Sequence, residues 1–292
     1  MLDVAVILNP GSGRTGADTA PRLIDLFAAR GREATILAAG PGRTVVDQAR
    51  RAAKEGCRVA VAAGGDGTVN AVAGAVAGSA IPLGVLPIGT LNHFAKDLGV
   101  PLELEDAVRI VAEGAVRQVD VGEVNGRVFV NNSSLGVYPR IVALRRRAGA
   151  EGRSKWLAAA WASLAVLRRR PFMGVRIRTE DQSLVRRTPF VFVGNNEYRM
   201  AGLHAASRDS LTTGRLAVYV MHATRRRSLL VLGWRVLLGG VEAVPELELF
   251  QVDEAVVETR RRIAVALDGE LTRMDSPLTY RIRPLALAVV AP

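Results

Sequence analysis

The chain has 292 residues, 49% hydrophobic and 23% charged, which is enough apolar material for a sizeable core and too much for a disordered chain. One cysteine, Cys57, excludes a disulfide framework and a cysteine-rich metal site and fits a reducing cytosol, and the scattered His93, His204 and His222 lack zinc-site spacing. The net charge of +11 comes mostly from arginine, in runs at 145–147, 168–170, 225–227 and 260–262 that suit an anionic membrane surface or reflect GC-rich codon usage; few aromatics interleave them and no DNA-reading motif occurs, so nucleic acid is not an expected partner.

The chain enters a short apolar strand at residues 4–8 with no basic region or apolar stretch of a signal peptide before it. No segment reaches the roughly 18 to 20 apolar residues that span a bilayer. Directly after the strand comes Asn9-Pro10-Gly11-Ser12-Gly13-Arg14-Thr15-Gly16, a glycine-rich phosphate cradle with Arg14 as a charge partner. It contains Gly-x-Gly-x-x-Gly. The acidic residue that a dinucleotide fold carries at the end of its second strand is replaced by Ala38-Ala39-Gly40, and no Gly-Lys-Ser/Thr follows for a Walker loop.

The spacing then predicts a helix over 19–29 capped by Gly31, a strand over 34–38, a helix over 44–55 closed by Gly56, and a strand over 58–63. Gly64-Gly65-Asp66-Gly67-Thr68 falls where this third strand ends and a helix containing Asn70 begins. The first turn of a helix leaves its N–H groups unpaired, and glycines let a bulky phosphate approach them. A purely structural turn would not need Asp66, which would repel phosphate unless Mg²⁺ or a ribose hydroxyl faced it. A fourth strand, 81–86, runs into Pro87-Ile88-Gly89-Thr90-Leu91-Asn92-His93 and a helical turn over 92–97. Three such turns at successive strand ends predict a nucleotide site at the carboxyl edge of a parallel sheet.

After residue 118 the pattern changes to period two, with an Asn125-Gly126 hairpin signal and strands near 173–179, 188–194, 216–221, 255–259 and 263–267. The expected organisation is a Rossmann-like parallel α/β domain over 1–118 and an antiparallel β domain over 119–275. The segment 276–292 returns to the first. Asp268-Gly269-Glu270 reads, on spacing alone, as a hairpin turn. Helical segments at 154–170 and 225–238 pair tryptophan and leucine with arginine; interfacial helices do this, and helices packed on a core are equally compatible.

Taken together, Asn9-Pro10 with Ser12-Gly13, Gly64-Gly65-Asp66-Gly67-Thr68 with Asn70, Pro87-x-Gly89-Thr90-x-Asn92-x-x-Ala95, Val119-Asp120-Val121-Gly122 and Asp268-Gly269-Glu270 resemble the diacylglycerol kinase catalytic family. That family includes bacterial lipid kinases and sphingosine kinases; the glycine turn is shared with NAD kinases and phosphofructokinases. The resemblance implies ATP- and Mg²⁺-dependent phosphorylation of a lipid hydroxyl in a cleft between a nucleotide-binding domain and a C-terminal β-sandwich. It places Asn9, Ser12, Gly13, Gly64, Gly65, Asp66, Gly67, Thr68, Asn70, Gly89, Thr90 and Asn92 on the nucleotide, with Asp66 toward Mg²⁺. Asp268 matches the general base, and Glu270 and Asp120 match supporting carboxylates.

Two positions depart from the pattern. His93 stands where many members carry an acid, and Thr212 and Thr213 stand where members with a structural Mg²⁺ carry acids, so that metal is expected to be absent. The expected partners are a lipid substrate and, transiently, the anionic inner face of the membrane for an otherwise cytoplasmic enzyme, and a homodimer is compatible with both. Two alternatives stay open: an NAD kinase-like enzyme acting on a soluble hydroxyl, which Asn196-Glu197 favours, and a nucleotide-binding regulator without turnover.

Overall fold

The computed structural model of the chain describes residues 1–13, 15–137, 139, 172–199, 207–221 and 247–292. The helical segments expected at 154–170 and 225–238, their arginine runs and that at 145–147, Arg14, His204 and His222 lie outside the described residues.

The N-terminal half alternates strand and helix: β1 (Leu2–Leu8), α1 (Thr19–Ala28), β2 (Ala34–Ala38), α2 (Val45–Glu55), β3 (Cys57–Gly64), α3 (Asp66–Val76), β4 (Leu83–Pro87), α4 (His93–Asp97) and α5 (Leu104–Glu113). The strands pair in parallel in the order β2-β1-β3-β4. Helices cover both faces of β1 and β3, so these strands read as unbroken apolar runs rather than alternating ones. The direction of strand addition reverses between β1 and β3. Their carboxyl ends therefore flank the crevice where doubly wound sheets receive ligands. The helix α5 was not among the expected elements; it packs Ala107, Val108, Ile110 and Val111 into the core.

The second half is antiparallel. It comprises β5 (Ala115–Val124), β6 (Arg127–Phe129), β7 (Asn132–Gly136), β8 (Met173–Thr179), β9 (Ser183–Thr188), β10 (Phe190–Asn195), β11 (Tyr198–Arg199), β12 (Ser207–Arg208), β13 (Leu216–Met221), β14 (Leu247–Val252), β15 (Glu254–Thr259), β16 (Ile263–Leu267), β17 (Glu270–Met274) and β18 (Leu278–Ala291). Asn125 and Gly126 both take positive φ (46° and 79°) between β5 and β6, the type I′ geometry their sequence predicts. A six-stranded sheet, β14-β13-β10-β7-β16-β17, packs Leu135, Val193, Val218 and Val265 against Ile177, Val257 and Tyr280 of the strands β8, β15 and β18. This is the β-sandwich.

One strand belongs to both halves. The start of β18 pairs antiparallel with β15, its end lies parallel to β4 at Val289 and Leu83, and β5 follows it along most of its length. The β5 ladder is interrupted by a bulge between Arg283 and Leu287. Pro284 sits in that bulge because it has no N–H for a ladder, and Leu285 takes φ 49° there. Among the described residues no helix is long and apolar enough to cross a membrane.

Candidate functional site

The three glycine turns meet at the β1/β3 crevice. Asn9, at the end of β1, donates from Nδ2 to Thr68 Oγ1 on α3 (3.2 Å) and accepts from the N–H of Gly11 (3.1 Å), so it braces the first loop against the second. Thr68 is buried. Ser12 is half-buried and Gly13 exposed, and the exposed Thr90 lies close enough that a methyl group on Gly13 would sit 3.4 Å from its Oγ1. The second and third turns touch through backbone: the N–H of Gly89 donates to Gly64 O (3.2 Å), and a side chain at Gly89 would overlap Gly65. Gly65, in extended conformation, caps α3 and leaves the first helical N–H groups without intrahelical acceptors. Asp66 is half-buried and accepts from the N–H of Phe94 (3.4 Å), linking the openings of α3 and α4. Asn92 is buried with φ 53° and donates to Pro87 O (3.1 Å) and Gly89 O (2.9 Å), so it shapes the third turn from within. Beside this turn a pocket of 270 Å³ opens between Thr19, Arg22, Ile88 and Leu102.

The sandwich supplies the acidic side. Asp268 and Gly269 both have positive φ (45° and 81°) between β16 and β17, so the hairpin turn expected on spacing is formed. The same turn delivers a buried carboxylate. Asp268 Oδ2 accepts from the N–H of Val130 (2.8 Å), and Oδ1 accepts from those of Asn131 (2.9 Å) and Asn132 (2.8 Å). Asn70, half-buried on α3, directs its amide at Asp268 Oδ2 (3.0 Å) and at Val128 O (3.1 Å), both of which are acceptors. Burial pushes the Asp268 carboxyl up to about 6, against the pull of the three backbone N–H groups and of the Arg208 charge.

Glu270 is exposed and rests over the start of α3, where a methyl group on Gly67 would collide with its carboxylate. Glycine at 67 thus keeps the acidic hairpin and the second glycine turn in contact. A Gly67→Ala protein is expected to keep its melting temperature, because the flexible Glu270 can swing aside. Its catalytic rate should fall by about tenfold to 100-fold, since small misplacements at a reacting centre cost that much. An unchanged rate would show that the contact has no catalytic consequence.

Arg208 was not singled out from the sequence. It has no exposed side-chain surface, and all five of its guanidinium N–H donors are used. Nε (2.9 Å) and Nη2 (2.8 Å) donate to Asp97 Oδ2 on α4, Nη1 to Val130 O (2.7 Å) and Asn195 O (3.0 Å), and Nη2 also to Asn131 Oδ1 (2.9 Å). Its guanidinium lies 5.8 Å from the Phe94 ring and 5.4 Å from that of Tyr198, whose hydroxyl burial pushes up to about 12. One side chain thus joins the helix that follows the third glycine turn to the backbone that grips Asp268.

Asp120 is not brought to this carboxylate pair. Its Oδ2 accepts from Asn196 Nδ2 (2.8 Å) and the N–H of Gly214 (2.7 Å), and its Oδ1 accepts from the N–H of Leu285 in the β18 bulge (2.9 Å). Its link to the site is indirect: Asn195 Nδ2 bridges Asp120 O and Val130 O (2.9 Å each). Thr213 Oγ1 also accepts from Asn196 Nδ2 (2.9 Å). Hard divalent cations are held chiefly by carboxylate and carbonyl oxygens and water; Thr212 and Thr213 offer hydroxyls instead, and Asp120 already accepts three hydrogen bonds from protein donors, so this donor set is a poor match for that ion. No group of three or more His, Cys, Asp or Glu that could hold a metal occurs among the described residues.

A parallel α/β half whose glycine turns meet at a switch point, joined through one strand to a β-sandwich carrying an acidic hairpin, is the architecture of the diacylglycerol kinase and NAD kinase folds. Residues 3–124 match the family model of the diacylglycerol kinase catalytic domain, and residues 107–291 that of the YegS C-terminal NAD kinase beta sandwich-like domain. A probable lipid kinase YegS-like protein of Chromohalobacter salexigens is 30% identical over 263 residues, covering 84% of this chain and 79% of that one. A diacylglycerol kinase of Staphylococcus saprophyticus is 32% identical over 134 residues, 45% of this chain and 44% of the relative, so the match spans less than half of that relative's length. A crystal structure of a diacylglycerol kinase from Bacillus anthracis superposes with TM-score 0.71 at 20% identity over 99% of this chain and 97% of that one, which is a likeness of fold. The chain belongs to the diacylglycerol kinase and YegS-like lipid kinase family.

Proposed function

We propose that this protein transfers the γ-phosphate of ATP to the hydroxyl of a lipid alcohol such as diacylglycerol. The observation that carries the reading is the contact between the two halves at Gly67, Asn70, Asp268 and Glu270, which sets a buried carboxylate beside the opening of a phosphate-binding helix. The N–H groups that open α3, together with Ser12, Gly13 and Thr90 of the neighbouring turns, receive the phosphates. The pocket at Thr19 and Ile88 receives the nucleoside. Asp66 would hold the Mg²⁺ that accompanies ATP and neutralises phosphate charge. The lipid hydroxyl oxygen bonds to the γ-phosphorus while the bond from that phosphorus to the β–γ bridging oxygen breaks. ADP leaves with the electron pair, and the hydroxyl proton passes to Asp268.

A groove supports an amphiphilic acceptor. Met173, Ile263, Leu271, Arg262 and Arg273 line a cleft of 630 Å³ on the sandwich. An arginine-lined apolar groove suits a lipid next to anionic headgroups. The NAD kinase-like reading, which rests on Asn196-Glu197, is less well supported, because Asn196 is buried and spends its amide on Asp120 and Thr213, and Glu197 accepts from Gln251. The test is γ-labelled ATP offered in parallel to diacylglycerol, phosphatidylglycerol, a sphingoid base, a polyprenol and NAD. Label in at least one lipid and none in NAD is the expected result; label in NAD alone overturns the proposal.

A further inference from the structure

We propose that Asn70 is a positioning residue for Asp268 rather than a ligand of the nucleotide, and that it holds the carboxylate position the substrate hydroxyl takes. This rests on the phosphotransfer reading above. Asn70 lies four residues after Asp66, so one turn separates the phosphate-binding opening of α3 from a side chain on the same side of the helix. That side chain reaches the opposite half of the molecule, to Asp268 Oδ2 (3.0 Å) and Val128 O (3.1 Å).

An ionised carboxylate has about four lone-pair sites. Those of Asp268 are matched by the N–H groups of Val130, Asn131 and Asn132 and by Asn70 Nδ2. The first three donors are consecutive main-chain groups fixed by the fold, and Arg208 locks their segment from the carbonyl side. The fourth sits on a rotatable side chain. It is the donor that can yield, and the place it vacates on Oδ2 is open to the acceptor hydroxyl. While in place, Asn70 favours the ionised base; when it moves, Oδ2 can take the proton. Since α3 carries both the phosphate turn and this amide, one rigid element sets the separation between γ-phosphate and base.

The charged and titratable groups around Asp268 are Arg208 and Asp97 from the α4 side, Tyr198 beside them, and Glu270 on its own hairpin. None is altered by substitution at 70. Loss of a donor to the ionised form raises a carboxyl pKa, and a new neighbouring carboxylate raises it further.

The test compares wild type with Asn70→Ala and Asn70→Asp in the full chain. The Asp268 carboxyl carbon is titrated by ¹³C NMR, and the pH dependence of kcat and the KM for ATP are measured in parallel. We expect the Asp268 midpoint in Asn70→Ala to rise by about half to one pH unit, the value of one hydrogen bond, and to rise further in Asn70→Asp. The acidic limb of kcat should move with it while the KM for ATP stays within about twofold of wild type. An unmoved midpoint overturns the proposal, as does a KM for ATP raised tenfold with the acidic limb in place, the signature of a nucleotide ligand. A lower melting temperature with midpoint and limb unmoved would mark a merely structural asparagine and overturn it too. The NMR titration needs no turnover, so a protein that phosphorylates nothing would fail the kinase reading and leave the Asn70–Asp268 coupling separately decided.

Discussion

Replacing Asp268 with asparagine is expected to lower phosphoryl transfer by about 100- to 10,000-fold, the range a positioned general base contributes. Binding of ATP, measured by thermal stabilisation, should persist, because the glycine turns and the opening of α3 are untouched. The substitution also has a structural cost. An asparagine can offer one oxygen to the N–H groups of residues 130–132, and its NH2 must face a donor, so stability should fall by about 1.5–3 kcal/mol. The wild-type pH profile follows from the same group. With the Asp268 carboxyl pushed up to about 6, the base is protonated below that pH. The rate should climb through about pH 6 and be about tenfold below its plateau one unit lower. A flat profile between pH 5 and 7, or an active Asp268→Asn protein, would remove Asp268 from the reaction.

The second large effect concerns Arg208. An Arg208→Met protein keeps much of the side-chain volume and leaves the Asp97 carboxylate, 6% exposed, without its cation. Breaking a buried ion pair in this way costs about 3–5 kcal/mol, far more than exposed pairs, whose median is about 0–1 kcal/mol. Val130 O, Asn195 O and Asn131 Oδ1 lose their donors as well. Urea unfolding of Arg208→Met, Asp97→Leu and the double variant should give a double variant more stable than the sum of single losses predicts, because each single change strands a charge that the double change removes. Additive losses would mean that the pair is not coupled. Catalysis by Arg208→Met should fall too, since the backbone that grips Asp268 loses its brace.

Much of the site was legible because its parts obey local rules. A glycine turn at the carboxyl end of a buried strand announces itself through composition, and all three turns lie at one crevice because β1, β3 and β4 are parallel neighbours. Asp268-Gly269 is legible as a type I′ hairpin, and the hairpin and the buried carboxylate prove to be one object. Arg208 was invisible for the opposite reason. It sits in Ser207-Arg208-Asp209, with no period or motif, among many arginines, and its partners lie 111 residues away in α4 and 77 to 78 residues away near the start of β7. Asn70 is on a legible helix, but the direction of its side chain depends on where β16 and β17 pack, which no spacing encodes. Asp120 resembles a site carboxylate by motif, whereas its Oδ1 is taken up by the N–H of Leu285 in the β18 bulge and its Oδ2 by Asn196 and Gly214. The helix α5 is marked in the sequence only by its apolar period, with no side-chain cap or motif at its start.

Phosphate leaving ATP at the glycine turns should arrive on a lipid at the acidic hairpin. The most direct measurement is the stoichiometry of ADP to phosphorylated lipid when the full chain is mixed with Mg²⁺-ATP and vesicles containing a lipid alcohol. We predict one ADP per phosphorylated lipid, no ADP beyond background without lipid, and both products formed at least about 100-fold more slowly with Asp268→Asn. ADP released at the same rate with and without lipid, or ADP appearing with no phosphorylated lipid, would contradict it.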